Sequence, residues 1–274
     1  MQLTNYHKNI VDYYAASENA YKDSWDLNNS LAIHYGYWDE KVKNFSESLL
    51  RMNEVMMEVG QIKPTDKVLD AGCGIGGSSI FLAERIGCNV TGISLSEKQV
   101  SKAKELVVGR KIENKVEFEV MNYCATSFPD ESFDSVFCSE VFEHVFNLDE
   151  IITEIRRVMK PGGKILITVP FLWNEHEVPY DFGRYSSYGI KYLLEKHEFE
   201  ILDLQKSGNF ARVNCQMTAL YFYSIIDVKN PALNFLLRML FIIPINILGS
   251  LFMPLLPKNS TLYFNNVVLA TKKS

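Results

Sequence analysis

The sequence predicts an α/β fold whose β-sheet is mostly parallel and carries helices on both faces. Strand-like and helical segments alternate between residues 67 and 170, and parallel strands need such helical crossovers. A tight run of glycines follows the first strand, at the edge of the sheet where α/β proteins bind ligands. With 274 residues, 47% of them hydrophobic, the chain is long and apolar enough for a full core.

Seven segments have the apolar and β-branched composition of strands, namely KVLDAG, CNVTGISL, KVEFEVMN, FDSVFCSE, GKILITVP, FEILDL and LYFNNVVLATKK. Helical patterns cover residues 78–86, 97–108 and 148–160 among the first five of them. Pro161-Gly162-Gly163 is expected to end the last of these helices. This order predicts a seven-stranded, mostly parallel sheet.

Two segments lie outside this alternation. Residues 7–59 have helical and aromatic character and end in SLLRMNEVMMEVG, where apolar side chains recur at helical spacing. We therefore predict an N-terminal helical cap over residues 1–62 and a sheet domain over residues 63–274. An apolar helical insertion over residues 209–259 precedes the last strand of that domain.

The glycine run fits two kinds of cofactor turn. Gly72, Gly74 and Gly77 have the spacing of a dinucleotide-binding turn. Gly72, Gly74 and Gly76 have the G-x-G-x-G spacing of a turn that binds S-adenosylmethionine (SAM). Asp70 precedes the run, and a carboxylate there would repel a pyrophosphate but would attract the ammonium of SAM.

The end of the second strand separates the same alternatives. A nicotinamide site needs an acid there to bind the ribose hydroxyls, about 20 residues after the glycines. The sequence GISLS offers no acid before Glu97 in the following helix. Charge therefore favours SAM, while a nicotinamide or flavin site and a purely structural turn remain as alternatives.

Four motifs between Lys67 and Pro170 resemble those of the class I SAM-dependent methyltransferases: VLDAGCGIGG, VTGISLSEKQV, FPDESFDSVFCSEVFEHV and EIRRVMKPGGKILITVP. The resemblance implies a Rossmann-like fold and SAM as cofactor. ISLSEKQ further resembles the second-strand region of sterol, tocopherol and cyclopropane-type methyltransferases. By that resemblance, Ser94, Leu95 and Gln99 would contact the ribose and adenine.

The resemblance assigns further cofactor contacts after the third strand and in the cap. The family often has an Asp that accepts from the adenine amino group, where this chain has Asn122, followed by Tyr123. The Asn122 oxygen can accept the same hydrogen bond without charge. The cap resembles N-terminal helices that close over the cofactor, so Tyr14 either packs a helix or reaches the cofactor carboxylate. His34, in HYGYW, is either an acceptor-pocket residue or a core histidine.

Two ionisable residues follow the fourth strand, on the cofactor side of this fold. His144 has a pKa range suited to deprotonating an acceptor hydroxyl, or it caps or packs a helix. Glu140 resembles the position where cyclopropane-type enzymes keep a carboxylate near the reacting centre, so it counts as both a catalytic and a cofactor-binding candidate. The scattered cysteines and histidines predict no metal site.

The stretch VPFLWNEHEVPYDFGRYSSYGI resembles part of the methyltransferases of bacterial surface-polysaccharide clusters. Its aromatic and charged side chains would suit a sugar or a phosphate, which makes Trp173, His176, Tyr180 and Arg184 candidates for acceptor binding. The alternative is a polar surface loop with buried aromatic anchors. The N-terminal half of the chain therefore suggests a lipophilic acceptor, whereas this stretch suggests a glycan or a lipid-linked glycan.

The apolar insertion has no charge from Met239 to Pro257. Pro244 and Gly249 are expected to interrupt it, and a strand of the sheet must follow, so a membrane crossing is disfavoured. An interfacial hairpin, a lid over a lipid-like acceptor, a helical pair on the core and a homodimer face remain as interpretations.

Bulk properties limit the partners and the compartment. A net charge of −5 offers no surface that would follow a phosphate backbone, so no nucleic-acid partner is expected. Five scattered cysteines and the absence of a signal-like start are typical of a cytoplasmic protein, here with contact at the membrane surface. The sequence thus predicts a SAM-dependent methyltransferase acting on a small lipophilic or lipid-linked acceptor. A nicotinamide-dependent oxidoreductase and a non-catalytic SAM-binding protein are the alternatives.

Overall fold

The computed structural model describes residues 27–32, 34–176 and 178–273, over which strands and helices alternate. The strands are β1 (Lys67–Ala71), β2 (Asn89–Ser94), β3 (Val116–Val120), β4 (Phe133–Ser139), β5 (Met159–Pro170), β6 (Phe199–Ser207) and β7 (Asn265–Lys272). The helices are α1 (Leu27–Ser30), α2 (Phe45–Gly60), α3 (Gly77–Ile86), α4 (Glu97–Val107), α5 (Leu148–Val158), α6 (Ser187–Lys196), α7 (Phe210–Ile225) and α8 (Pro231–Phe252). Short 3₁₀ turns cover Phe142–His144 and Met253–Leu255.

The seven strands form one sheet in the order β3-β2-β1-β4-β5-β7-β6. β1 runs parallel to both β2 and β4, β2 is parallel to β3, and β4 is parallel to β5. The predicted α/β fold with a seven-stranded, mostly parallel sheet is confirmed. The strand order reverses between β1 and β4, so the segments that follow these two strands flank the switch point where such sheets bind ligands.

Two buried clusters, which contain residues of different helices, pack against the sheet. One contains Ile151 and Ile155 of α5 with Ile190 of α6. The other contains Met52 of α2 and Ile80 of α3, together with side chains of α4 and the strands. Each helix turns an apolar stripe towards its cluster, as helical periodicity requires.

Phe118 of β3 fills a narrow space between β2 and the loop after β1. A Cβ atom on Gly76 would lie 2.5 Å from the Phe118 ring, and one on Gly92 would lie 2.6 Å from it. The ring therefore occupies the volume that side chains at both glycines would need.

The Pro-Gly-Gly sequence after α5 has a different role from the one predicted. Helix α5 ends at Val158, and Met159 already pairs with Phe133 of β4. The register then jumps, because the next pair joins Ser135 to Lys164. Pro161-Gly162-Gly163 is thus an irregularity inside β5, with Gly162 at a φ of 71°, and it does not end the helix. Helix α6, which the pattern missed, begins at the Ser186 cap.

The helical character predicted for residues 7–59 is found in the described part of the cap in α1 and α2, whereas residues 31, 32 and 34–44 between them are not helical. Helix α2 begins after Asn44, whose side chain accepts from the Glu47 backbone N–H at 2.9 Å. The Glu47 carboxylate in turn accepts from the Lys43 N–H. This capping box makes a helix start here favourable. Tyr14 lies outside the described residues, and the boundary at residue 62 stays a prediction.

The chain divides into two compact units. The first contains most of the sheet, and residues 206–265 form the second unit. Pro244 was expected to interrupt its apolar run, but α8 continues through this position. A proline removes one intrahelical hydrogen bond, whereas packing on α7 holds the helix on both sides of it. Phe241 stacks on Phe222 at 5.1 Å, and the Ile245 carbonyl accepts from the Cys215 thiol at 3.5 Å.

Candidate active site

The loop after β1 is a tight turn that only glycines fit. Gly72, Gly74 and Gly76 have φ angles of 94°, 53° and 84°, in the left-handed region where a Cβ atom is unfavourable. The Gly72 N–H donates to the Ile93 carbonyl of β2 at 2.9 Å. A Cβ atom on Gly72 would lie 2.5 Å from Cγ2 of Val141. The loop is thus anchored to β2 and lies against the segment that follows β4.

Asp70 is a buried acid near the end of β1, two residues before the first glycine of this loop. Its side chain is 2% exposed, and its Oδ2 accepts from the Ser79 hydroxyl of α3 at 2.6 Å. Burial raises the pKa of Asp70 to about 6, since the carboxylate has lost its water. The Cys73 and Cys138 thiols nearby have pKa values well above the usual one and stay neutral. Asp70 is therefore an acid that a bound cation would stabilise in its charged form.

The end of β2 brings together the residues predicted for a ribose. The Ser94 hydroxyl donates to Oε1 of Gln99 at 2.8 Å, and Leu95 between them is buried. Ser96 caps α4 by accepting from the Gln99 N–H at 3.3 Å. The cap therefore places Gln99 one turn into α4, within reach of Ser94.

Asn122 and Tyr123 follow β3 on the same edge of the sheet. The Asn122 Oδ1 accepts from the Cys124 N–H at 2.9 Å, which uses one of the two lone pairs of this oxygen. The second lone pair is the one that could accept from an adenine amino group. Tyr123 is buried in the apolar cluster that also contains α5.

Glu140 lies directly after β4 in a strained conformation. Its φ of 54° is unusual for a residue with a side chain, and its N–H donates to the Thr168 carbonyl of β5 at 3.1 Å. Burial raises the pKa of Glu140 to about 7, although hydrogen bonds from Thr168 and Glu143 and the charge of Arg184 oppose the shift. A group that titrates near neutrality can act as a proton acceptor.

His144 differs from Glu140 in its protonation. Its Nδ1 lies 3.1 Å from the Tyr180 carbonyl, and because a carbonyl only accepts, Nδ1 carries the proton. Burial lowers the pKa of His144 to about 4. The ring is therefore neutral at pH 7, with the lone pair on Nε2. Tyr180, predicted as a substrate contact through its ring, thus also fixes this tautomer through its backbone.

The loop after β5 is organised by an acid that the sequence analysis did not select. Both oxygens of Asp181 accept from the Arg184 guanidinium, at 2.5 and 2.6 Å. Arg184 also contacts Nδ1 of His176 at 3.0 Å and donates to the Asn174 carbonyl. These interactions hold the pKa of Asp181 below its usual range, against the effect of burial. An acid three residues before an arginine was the available signal for this pair.

Aromatic contacts bring three distant segments together. Tyr35 lies 4.9 Å from the ring of Trp173 and 6.4 Å from that of His176. His144 packs edge-on against His176 at 5.1 Å. We call Tyr35, His144, Trp173, His176 and Arg184 the histidine–aromatic cluster. Trp173, His176 and Arg184 were predicted to bind an acceptor, whereas Tyr35 is an addition from the structure.

His34 occupies a different place from this cluster. It is buried, its Nδ1 lies 3.0 Å from the Tyr35 carbonyl, and it hydrogen-bonds Asn53 of α2. Asn53 also accepts from Ser78, the second residue of α3. Burial lowers the pKa of His34, so the ring is neutral. The contacts of His34 connect the cap to the start of α3.

Three possible metal ligands lie close together in the described residues. Ligand atoms of Glu143, His144 and His176 are within 4.8 Å of one another. The guanidinium of Arg184 is 3.0 Å from His176 and would oppose a cation. The donor set alone therefore does not make a metal centre.

A parallel sheet whose order reverses between β1 and β4, with a buried acid near the end of β1 and a glycine loop after it, defines a Rossmann-like nucleotide-binding protein. Residues 69–167 match the methyltransferase domain family. Residues 69–167 are therefore a methyltransferase domain, which agrees with the resemblance of the sequence motifs to the class I SAM-dependent methyltransferases. These residues contain Asp70, the glycine loop and Glu140.

The relatives act on small molecules according to their names. The 2-methyl-6-phytyl-1,4-hydroquinone methyltransferase of Synechocystis sp. is 37% identical over 178 residues, 60% of this chain and 54% of that protein. The 27-O-demethylrifamycin SV methyltransferase of Amycolatopsis mediterranei is 33% identical over 135 residues, 49% of this chain and 50% of that protein. The chain spans about half of the length of the curated relatives it matches.

Among solved structures, the geranyl diphosphate C-methyltransferase of Streptomyces coelicolor A3(2) is similar along its whole length. It was solved with Mg²⁺, geranyl diphosphate and S-adenosyl-L-homocysteine. The TM-score is 0.69 at 17% identity, and the match covers 99% of each chain. At this identity the likeness supports the fold.

Proposed function

We propose that this protein transfers a methyl group from S-adenosyl-L-methionine to a small, largely apolar acceptor. The observation that carries the proposal is Asp70, a buried acid beside a glycine loop, whose hydrogen-bond partner in the described residues is the uncharged Ser79. This arrangement suits a cationic ligand and opposes a pyrophosphate. The nicotinamide alternative is therefore set aside, in agreement with the family.

The described residues fit the cofactor. Asp70 would bind its ammonium, the glycine loop would allow its close approach to the backbone, and Ser94 with Gln99 would bind its ribose. Asn122 would accept from its adenine through the remaining lone pair. When bound, SAM supplies a methyl group on a sulfonium whose positive charge disappears on transfer.

The acceptor is proposed to lie beside the histidine–aromatic cluster. The rings of Tyr35 and Trp173 offer apolar faces, and Arg184 offers polar recognition, since its buried Nε has no partner among the described residues. The cluster lies near the cofactor loop through Glu140 to His144, because Val141 of that segment packs on Gly72. The names of the relatives support a small-molecule acceptor, and a lipophilic or lipid-linked one is our finer proposal.

If the acceptor is a hydroxyl or an activated carbon, Glu140 is a better proton acceptor than His144. The best general base has a pKa near the working pH, and Glu140 at about 7 meets this condition whereas His144 at about 4 does not. His144 then orients the site by its bond to the Tyr180 carbonyl. Both were sequence candidates for catalysis.

We expect Glu140→Gln to lower kcat by about 100-fold, the usual effect of losing a general base. The wild-type rate should rise with pH through about 7, as the carboxylate forms, and the variant should lose this rise. His144→Gln is the matched control, and it should lower kcat less than Glu140→Gln does. If Glu140→Gln instead weakens SAH binding and leaves kcat unchanged, Glu140 is a cofactor contact and not the base.

The activity is tested by incubating the purified protein with methyl-labelled SAM and extracts of cell lipids and water-soluble glycans. Mass spectrometry should find the label in a lipid-soluble product, and Asp70→Ala should abolish it. Label only in the glycan fraction would reject the lipophilic acceptor. SAH binding without label in any fraction would favour the non-catalytic SAM-binding alternative.

The raised pKa of Asp70 predicts a pH-dependent affinity for SAH, which keeps the ammonium of SAM. Asp70 must be ionised to bind it, so affinity should rise as pH increases through about 6 and then level off. Because the folded pKa is raised, ionised Asp70 destabilises the ligand-free protein above that pH, and SAH should raise Tm more at neutral than at acidic pH. Calorimetry and thermal shift measure the two effects. Asp70→Asn should bind weakly at every pH, and a pH profile equal to the wild type would reject this role.

A further inference from the structure

The second compact unit exposes an unusual amount of apolar surface. No residue of α8 is buried, although the helix has 22 residues and its sequence is rich in leucine, isoleucine and phenylalanine. The segment Pro231–Leu255 is long and apolar enough to cross a membrane by length and composition. Water would have to cover this surface, and soluble proteins rarely leave so large an apolar patch exposed.

The exposed side chains cover a broad arc of the helix. Leu236, Leu240, Ile247 and Leu251 are 63%, 63%, 52% and 62% exposed and lie on one stripe at helical spacing. Phe241 and Phe252, also exposed, extend the arc to one side. The opposite side packs on α7, where Gly249 lies against Cys215. A single partner helix would cover only a narrow stripe, whereas a lipid environment covers the full arc.

Charge distinguishes this unit from the rest of the chain. Residues 206–265 contain five cations (Lys206, Arg212, Lys229, Arg238 and Lys258) and one acid, Asp227. Their net charge is +4 in a chain of net charge −5, so the remaining residues carry −9. A positive unit in an acidic protein is complementary to anionic lipid headgroups.

The polar groups of the unit are also typical of a membrane interface. Arg238 lies over the ring of Tyr223 at 4.0 Å, and its Nε donates to the Ile226 carbonyl. The guanidinium thus lies near the end of α7, while exposed tyrosines offer the ring-and-hydroxyl surface found at headgroup depth. Both ends of the unit continue into β6 and β7, which are neighbours in the sheet. The hairpin must therefore enter and leave on one side of a bilayer.

We propose that the helical hairpin α7–α8 inserts into one leaflet of an anionic lipid bilayer and anchors the protein at its surface. This proposal does not depend on the methyl-transfer activity. It would place a lipophilic or lipid-linked acceptor in the same membrane as the enzyme.

The experiment is flotation of the full chain with two kinds of vesicle, phosphatidylcholine alone and phosphatidylcholine mixed with phosphatidylglycerol. The wild type should float with the mixed vesicles. Replacing Leu236, Leu240, Ile247 and Leu251 with Gln should lower the floated fraction by about tenfold or more, because each loses exposed apolar area and none is buried. SAH binding and circular dichroism should not change, which shows that the variant is folded.

Two further variants test the specificity of this effect. Tyr188→Gln with Tyr192→Gln removes two even more exposed rings from α6, and this variant should float like the wild type. Lys229→Glu with Lys258→Glu should reduce flotation with the anionic vesicles and make it less sensitive to salt. A wild type that floats with neither vesicle and elutes as a dimer, which the four-Gln variant converts to a monomer, would overturn the proposal in favour of a second copy on this face.

Discussion

Asp70→Ala is expected to weaken SAH binding by about 2 to 4 kcal/mol, roughly 30- to 1000-fold, which is the usual cost of truncating one partner of a buried charge pair. The ligand ammonium would then lie in a site with no carboxylate and little water. Calorimetry of SAH binding measures the loss. The ligand-free variant should stay folded, because an acid whose pKa burial has raised does not favour folding when ionised.

Ser79→Ala is the matched control for this prediction. It removes the hydroxyl that donates to Asp70 at 2.6 Å but leaves the carboxylate in place. Its effect on affinity should be about 0.5 to 1.5 kcal/mol, the size of one hydrogen bond. Equal affinities of the wild type and Asp70→Ala would remove Asp70 from the cofactor site.

Gly72→Ala is expected to abolish SAH binding and to lower the free energy of unfolding by about 2 to 5 kcal/mol. The left-handed backbone costs about 1 to 2 kcal/mol with a side chain, and the new methyl group would lie 2.5 Å from Val141 Cγ2, which adds an overpacking cost of about 1 to 3 kcal/mol. Denaturant unfolding and calorimetry measure the two losses.

Gly87→Ala separates the two causes. Gly87 has a similar φ of 79°, but a Cβ atom there would meet nothing within 4 Å. The free energy of unfolding of this variant should fall only by the cost of the left-handed backbone, and the variant should bind SAH like the wild type. The double variant Gly72→Ala/Val141→Ala should regain the part of the unfolding free energy that the clash with Val141 costs. No recovery would show that the contact with Val141 is not the cause.

The fold could be predicted from the sequence because its determinants are local. The strands β1, β2 and β4 are short and mostly apolar, α5 has a strict apolar stripe, and the glycines form a turn that few backbones can adopt. Asp70 could be selected as a candidate because it lies near the end of a strand, beside the glycine run. Ser94 and Gln99 were candidates through the resemblance of ISLSEKQ to other methyltransferases.

The rest of the site depends on contacts between distant segments. Tyr35 meets Trp173 across 138 positions of sequence, and no periodicity connects them. Asp181 is significant because it holds Arg184 beside His176, which only the folded loop shows. The continuity of α8 through Pro244 was missed for the same reason, since packing on α7 compensates for a lost hydrogen bond. Helix and strand propensities describe single segments, whereas these features depend on contacts between two segments.

The position of Phe118 also constrains the order in which substitutions at Phe118 and at the neighbouring glycines can be accepted. One ring blocks a side chain at both Gly76 and Gly92, so each glycine is held in part by a residue on another strand. Gly92 does not have a left-handed φ, so replacing Phe118 by a smaller residue should remove the worst clash of Gly92→Ala and leave a tight contact with the Cys73 Cβ atom at 3.0 Å. Gly76, at a φ of 84°, would remain restricted by its backbone. Relatives with an alanine at the Gly92 position are therefore expected to have lost the aromatic ring first, a historical dependence that a sequence alignment of the family can test.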